Sequence, residues 1–284
     1  MAPTPTSLGI VPEAGQIRVE LTGAPQTMLA TLYAKALDAD ADHPILGDTW
    51  AKDVVSRIDY DWRKTTITAR TAPSVTIRTA HMDNWARDFL AANDRATVLH
   101  LGCGLDSRVF RINPGPGVEW YDVDCPDVIT LRAQLYPARD HCHPVPASVT
   151  DPAWLPQIPA DRPALMVAEG LTMYLTEDDG VGLLRRIVEH FASGELQFDV
   201  FNRLGIKLQV TNAAVRRAGA KLYWGIDGPD DIIAAVPGVR LREAVSVFDT
   251  YAFKHLRGPY RPMGRVMSLV SATRNIAQFH RYAF

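Results

Sequence analysis

From residue 97 to the end of the chain, short runs of apolar and β-branched residues alternate with longer stretches whose apolar positions recur every three or four residues. The runs predict seven strands, at 97–101, 118–122, 141–146, 164–169, 195–201, 241–248 and 278–284, with helices between most of them. LMVAEG and ELQFDVF are rich in apolar residues, as strands covered on both faces should be. Ahead of this alternation the spacing is helical. In VELTGAPQTMLATLYAKALDAD the residues Met28, Leu29, Leu32, Tyr33, Ala36 and Leu37 share one helix face. HPILGD interrupts it, and TWAKDVVSRIDYDW and SVTIRTAHMDNWARDFLAAN repeat the spacing before Asn93 and Asp94 close it. Residues 1–16 are rich in Pro, Thr and Gly with little to bury, which predicts a mobile arm.

Strands alternating with helices predict an α/β fold built on a doubly wound, mostly parallel sheet. The expected organisation is the arm at 1–16, a helical cover over 17–95 and a sheet domain over 96–284. Within the last, RLGIKLQVTNAAVRRAGAKLYW (203–224) reads as a cap helix over the site, with a plain surface helix as the alternative, part of an insertion at about 203–240. A chain of 284 residues can fold as one large α/β domain with such additions and requires no second full domain.

Composition narrows the partners. Hydrophobic residues make up 47% and charged residues 22%, as in ordinary globular proteins, and a net charge of −2 gives nothing to attract nucleic acid or an anionic membrane. A small-molecule ligand is the expectation. Cys103, Cys125 and Cys142 show neither C-x-x-C nor zinc spacing, so no metal site is expected. The start of the chain lacks the basic and apolar segments of a secretory signal, and no run of eighteen apolar residues occurs, which makes the cytoplasm the expected compartment.

The candidate chemistry is concentrated in TVLHLGCGLDSRVFR, followed by WYDVD. An apolar run opens into Gly102 and Gly104, and the next strand-like run ends in Asp124. That is the layout of a nucleotide-cofactor site, with glycines for a sharp turn and close ligand approach and an acid to hydrogen-bond a ribose diol. A Gly-x-Gly also occurs in plain tight turns, so the cofactor is argued from the neighbouring residues. A pyrophosphate loop wants a third glycine or alanine where this chain has Ser107, followed by Arg108. Asp106 is poorly placed against a doubly charged pyrophosphate but suits a cationic ligand with an ammonium and a sulfonium, namely S-adenosylmethionine.

In an open parallel sheet, ligands sit beyond the carboxyl ends of the strands. Acids or glycines follow four successive predicted strands: Gly102, Gly104 and Asp106, then Asp124, then Asp151 in the segment 148–151, then Glu169 and Gly170 with Tyr174 further on. LHLGCGLDSRVFR, YDVDCP and VAEGLTMYLT, with IRTAHMDNW ahead of them, resemble the leucine carboxyl methyltransferase superfamily. Within it, they resemble the bacterial branch similar to tetracenomycin-type polyketide carboxyl O-methyltransferases, over roughly 27–199. The resemblance implies a class I S-adenosylmethionine-dependent O-methyltransferase: a Rossmann-like seven-stranded sheet with the last strand antiparallel, under an N-terminal helical cover. It also implies Arg78 as the partner of the cofactor's carboxylate, which suits a guanidinium clamp. Gly102 and Gly104 would lie under the methionine part, Asp124 would take the ribose, and Glu169 would face the amino or sulfonium side. The adenine contact would fall on Asp151, although Pro152 after it has no N–H to donate. A family lysine in the first helix corresponds to Lys35.

Methyl transfer from a sulfonium is an in-line displacement that rewards alignment and exclusion of water. A carboxylate acceptor, already ionised, calls for cations or hydroxyls to orient it, and Tyr174, Arg203 and Lys207 are the candidates. A phenol or alcohol acceptor calls for a base, for which His81 and His255 are the candidates. The leading expectation is methylation of a carboxylate on a small secondary metabolite or polyketide-like acid. Competing with it are a phenol or alcohol O-methyltransferase, an NAD-dependent oxidoreductase and a non-catalytic S-adenosylmethionine-binding protein.

Overall fold

In a computed structural model the described residues are 12–13, 16–19, 24–209, 219–255 and 260–284. Two short strands, β1 (Pro12–Glu13) and β2 (Gln16–Arg18), precede the helices α1 (Ala24–Ala39), α2 (Thr49–Arg57) and α3 (Pro73–Ala92). Strand β3 (Ile58–Asp59) follows α2 and completes a three-stranded sheet in the order β1-β2-β3, which the helical spacing of the sequence does not signal. The arm expected at 1–16 lies mostly outside the described residues. Asp48 starts α2 by accepting the Ala51 amide at 3.1 Å, so the chain turns sharply after HPILG into the helix.

The main sheet alternates as the sequence predicts: β4 (Ala96–Leu101), α4 (Arg108–Ile112), β5 (Val118–Asp124), α5 (Pro126–Leu135), β6 (Cys142–Pro146), β7 (Ala164–Ala168), α6 (Glu177–His190), β8 (Gly194–Phe201), α7 (Arg203–Lys207), β9 (Arg240–Ser246) and β10 (Ala277–Ala283). Its order is β6-β5-β4-β7-β8-β10-β9. The first five neighbours pair in parallel, while β10 runs antiparallel to both β8 and β9. This is a Rossmann-like, doubly wound sheet with an antiparallel last strand. The chain order reverses between β4 and β7, which opens a crevice at their carboxyl ends.

Alternate residues explain the apolar strands. Leu99, Leu101, Met166 and Phe198 pack on one face with Leu184, Ile187 and Trp224, while Val98, Leu165 and Val167 pack on the other with Met82, Ala86 and Phe89 of α3. Leu29, Leu32 and Ala36 of α1 join Val54, Leu105, Leu131 and Leu135, which seats the helical cover on the sheet layer.

The segment expected as one cap helix is described only in part. Its first turn is α7, started by Asn202, whose side chain accepts the Gly205 amide at 2.8 Å. Residues 210–218 lie outside the described residues. From 220 to 227 the backbone is irregular; the amides of Tyr223 and Ile226 donate to Met173 and Phe201 carbonyls at 2.8 and 2.9 Å, and Trp224 is buried against α6. Backbone partners outside the segment replace helical ones there. Among the described residues no helix is long and apolar enough to cross a membrane.

Candidate active site

A cleft of about 250 Å³ lies beyond the carboxyl ends of β4, β5 and β7, with α1 and Arg78 of α3 closing its other side. Gly102 and Gly104 turn the chain after β4 with φ of +60° and +51°, a region that disfavours side chains. A Cβ on Gly104 would also come within 3.1 Å of Met28 Cγ, and one on Gly102 within 3.0 Å of a Leu171 methyl, so both positions require the missing side chain. Asp124 ends β5 and braces the turn: its Oδ2 accepts the Gly104 amide and its Oδ1 the Cys125 amide, each at 2.8 Å. Each oxygen keeps a further acceptor site. Burial pushes the Asp124 carboxyl above the usual range against the pull of those two amides.

Beneath the cleft runs a buried ion network. Glu169, just past β7, accepts Arg78 Nε at 3.1 Å and Thr79 Oγ1 at 2.7 Å on one oxygen, and Arg108 on the other. Asp106 meets Arg111 at 2.6 Å and Lys35 at 3.1 Å. Asp83 holds Arg108 and Arg111, Asp48 holds Arg111, and Asp199 holds Arg78. Burial opposes ionisation of Asp106 and Glu169, but the surrounding cations outweigh it and hold both carboxyls well below their usual range.

His100 ties this network to Asp122, at 2.8 Å from Nδ1, and Asp122 in turn holds Arg132 at 2.8 Å. Burial lowers the His100 pKa against the pull of Asp122, which favours the neutral ring. Its Nε2 faces Arg108 Nη1 at 3.3 Å, and a guanidinium only donates. Nε2 is therefore the acceptor, and the ring proton sits on Nδ1, donated to Asp122.

Residues 27–188 match the leucine carboxyl methyltransferase family. The chain is 42% identical to the tetracenomycin polyketide synthesis O-methyltransferase TcmP of Streptomyces glaucescens, over 94% of this chain and 98% of that one. It is 38% identical to the S-adenosyl-L-methionine-dependent methyltransferase dpfgK of Gibberella zeae, over 83% and 86%. The chain belongs to the leucine carboxyl methyltransferase family. It is an S-adenosylmethionine-dependent methyltransferase. Solved structures from Thermobifida fusca (TM-score 0.57, 17% identity, 92% of this chain and 94% of that one) and of a DUF574 family protein from Streptomyces avermitilis (0.55, 14%, 92% and 97%) share its fold.

The residues of this methyltransferase fit the cofactor. The glycine turn forms a cradle that a Cβ would fill, Asp124 offers free acceptor sites, and the cleft edge carries one partly exposed guanidinium, Arg78. A pyrophosphate fits worse. Ser107, at the start of α4, where a phosphate would need a donor, gives its hydroxyl to Asp48 at 2.6 Å and is already committed.

Of the residues expected from the sequence, Arg78, Gly102, Gly104, Asp124, Glu169 and Tyr174 all line the cleft, as does Lys35. Asp151 does not. It is exposed in the loop after β6, where its carboxylate accepts the Ala153 amide at 2.9 Å. Arg203 is also elsewhere, exposed and ion-paired to Asp227, and Lys207 is exposed. His81 packs between Trp85 and Phe279 away from the cleft, and the side chain of His255 lies outside the described residues. Asp106 lines the cleft, yet its charge is spent on protein cations and is not open to a ligand. Sequence reasoning misses His100, Asp199, Thr27, Met28 and Leu171. For His100 and Asp199 a signal is present, as polar residues inside strands apolar on both faces must find buried partners.

Proposed function

We propose that this methyltransferase methylates a carboxylate of a small organic acid, with the polyketide-like acids as the substrate class. The observation that carries the reading is the commitment of the titratable groups in the cleft. Lys35, His100, Asp106 and Glu169 are bound in the network, Asp124 is held by two amides, and burial pushes the Tyr174 hydroxyl and the Cys125 thiol up. With the remaining acceptor sites of Asp124 given to the ribose diol, the described residues of the cleft leave no base for the methyl acceptor. An ionised carboxylate needs none, whereas a phenol, with a pKa near ~10, does. The family's name supports a carboxylate acceptor, and the name of the 42% identical relative supports O-methylation in polyketide synthesis.

In this reading Arg78 takes the cofactor's carboxylate, the Gly102–Gly104 turn admits its methionine part and Asp124 accepts the ribose diol. Glu169 acts from below, fixing Arg78 and Arg108. S-adenosylmethionine supplies an electrophilic methyl group when bound. The chain aligns the acceptor with it, and the Tyr174 hydroxyl is the group that orients the acceptor. Its contact with Thr27 Oγ1 is long, 3.5 Å, which leaves its proton available to an acceptor oxygen.

The test is a methyl-transfer screen with labelled cofactor over aromatic and polyketide acids, each paired with the matching phenol lacking the carboxyl group. Label in the acid products that mild base releases as methanol supports an ester. Base-stable label, or transfer to the phenols alone, overturns the carboxylate reading.

A further inference from the structure

Arg78 is the most exposed cation of the buried network, its side chain 17% accessible against 7% or less for Lys35, Arg108 and Arg111. Its Nε donates to Glu169 Oε1 at 3.1 Å and its Nη1 to Asp199 Oδ2 at 2.8 Å. Neither bond uses Nη2, which lies over the Gly170 turn at the cleft edge, within 3.3 Å of where a Cβ would stand.

The two carboxylates are not equivalent. Glu169 also serves Arg108 and Thr79, so its position is set by several partners. Asp199, at 4% exposure near the end of β8, makes its ion pair with Arg78. Its other oxygen accepts the Gly170 amide at 2.6 Å, and its carbonyl accepts the Thr172 hydroxyl at 2.6 Å. One residue thus binds the guanidinium to the backbone of the 169–174 loop, which lines the cleft with Gly170, Leu171 and Tyr174. The covalent attachment at Nε and the bonds made by Nε and Nη1 together fix the plane of the guanidinium, and Asp199 supplies the Nη1 bond.

We infer that Asp199 is a positioning residue for cofactor binding, holding Arg78 against the Gly170 turn so that Nη2 is presented to the carboxylate of the cofactor's amino-acid part. This rests on the reading of Arg78 given above. Asp199→Asn has nearly the same shape, but an amide must turn its N–H₂ toward either the guanidinium or the Gly170 N–H, and each arrangement sets donor against donor. The guanidinium is then left to pivot about Glu169.

The discriminating ligand is methylthioadenosine, which keeps the adenosine and thioether of S-adenosylhomocysteine but lacks the amino-acid group. Calorimetric titration of the full chain should show Asp199→Asn binding S-adenosylhomocysteine roughly tenfold more weakly, the effect of one charged hydrogen bond, with methylthioadenosine changed less than about twofold. Arg78→Ala should show the same selectivity. If Arg78→Ala weakens both ligands equally or neither, the Arg78 reading fails. If it is selective and Asp199→Asn is not, the inference about Asp199 alone is overturned. Thermal melting checks the fold of each variant, with Asp199→Ser as the second substitution; loss of cooperative melting in both would place Asp199 in the structural core and overturn its positioning role.

Discussion

Asp83 and Arg108 form an ion pair at 2.7 Å in which neither side chain is accessible to solvent. The other Asp83 oxygen binds Arg111 at 2.9 Å, so one carboxylate is shared by two guanidinium groups, which also hold Glu169 and Asp106. Removing its charge leaves both cations buried with less compensation. Asp83→Asn should lower the unfolding free energy by about 3 to 5 kcal/mol, the cost of breaking a buried pair from one side. Denaturant titration measures it; a loss below about 1 kcal/mol would mean the network relaxes and does not brace the fold.

Asp124 joins the end of β5 to the glycine turn through the Gly104 amide and has acceptor sites left for a diol. Asp124→Ala should weaken S-adenosylhomocysteine by roughly 2 to 4 kcal/mol, since it loses a charged acceptor and leaves the Gly104 amide unpartnered. Calorimetry with unchanged affinity would remove Asp124 from the cofactor site.

The parts of the site that are legible in the sequence are those whose chemistry is local. Gly102, Gly104 and Asp124 follow strands recognisable by their apolar runs, and the turn, the positive φ angles and the strand-end acid belong to one β-α-β passage. Asp151 and Arg203 satisfy the same strand-end logic and still lie outside the cleft, for a geometric reason. Asp151 lies beyond β6, the edge strand, two strands and so roughly 10 Å from β4 at about 4.8 Å per strand, while Arg203 opens α7 beyond β8 and pairs with Asp227 at the surface. The ion network is hidden because its partners are distant in sequence: Arg78 meets Asp199 across 121 positions and Glu169 across 91. A charged residue inside an apolar strand shows that a partner exists but not which one.

His280 on β10 is fully buried, its Nδ1 at 2.8 Å from the Tyr282 hydroxyl. Burial pushes its pKa down to about 4 from the ordinary 6.5. Between those values the unfolded chain binds a proton that the folded chain rejects. The stabilisation is therefore complete above pH 6.5 and is lost as the pH falls toward 4, by about 3 kcal/mol at the lower end. His100 and His81, also lowered by burial, add slope of the same sign. In His280→Gln the decline over that interval should be shallower by about 3 kcal/mol in denaturation series at stepped pH. An unchanged slope would show that His280 does not titrate in this way.

Gly180 lies in α6, where helix propensity alone favours alanine by about 1 kcal/mol. The packing says the opposite. A Cβ at Gly180 would stand 2.1 Å from Cζ3 of Trp224, a buried ring in the core it shares with Leu184 and Ile232. Overpacking of this kind costs about 1 to 3 kcal/mol and displaces the intruded side chain. Trp224 anchors the 220–227 segment, whose Tyr223 amide donates to Met173 beside Tyr174, so the displacement should reach first the Tyr174 end of the cleft, which is proposed above to orient the acceptor. Gly180→Ala is expected to raise the KM for the acceptor several-fold while leaving S-adenosylhomocysteine affinity within about twofold. Equal losses on both ligands would mean that α6 moves as a whole and the segment is not its own unit; no loss on either would mean that Trp224 finds another seat.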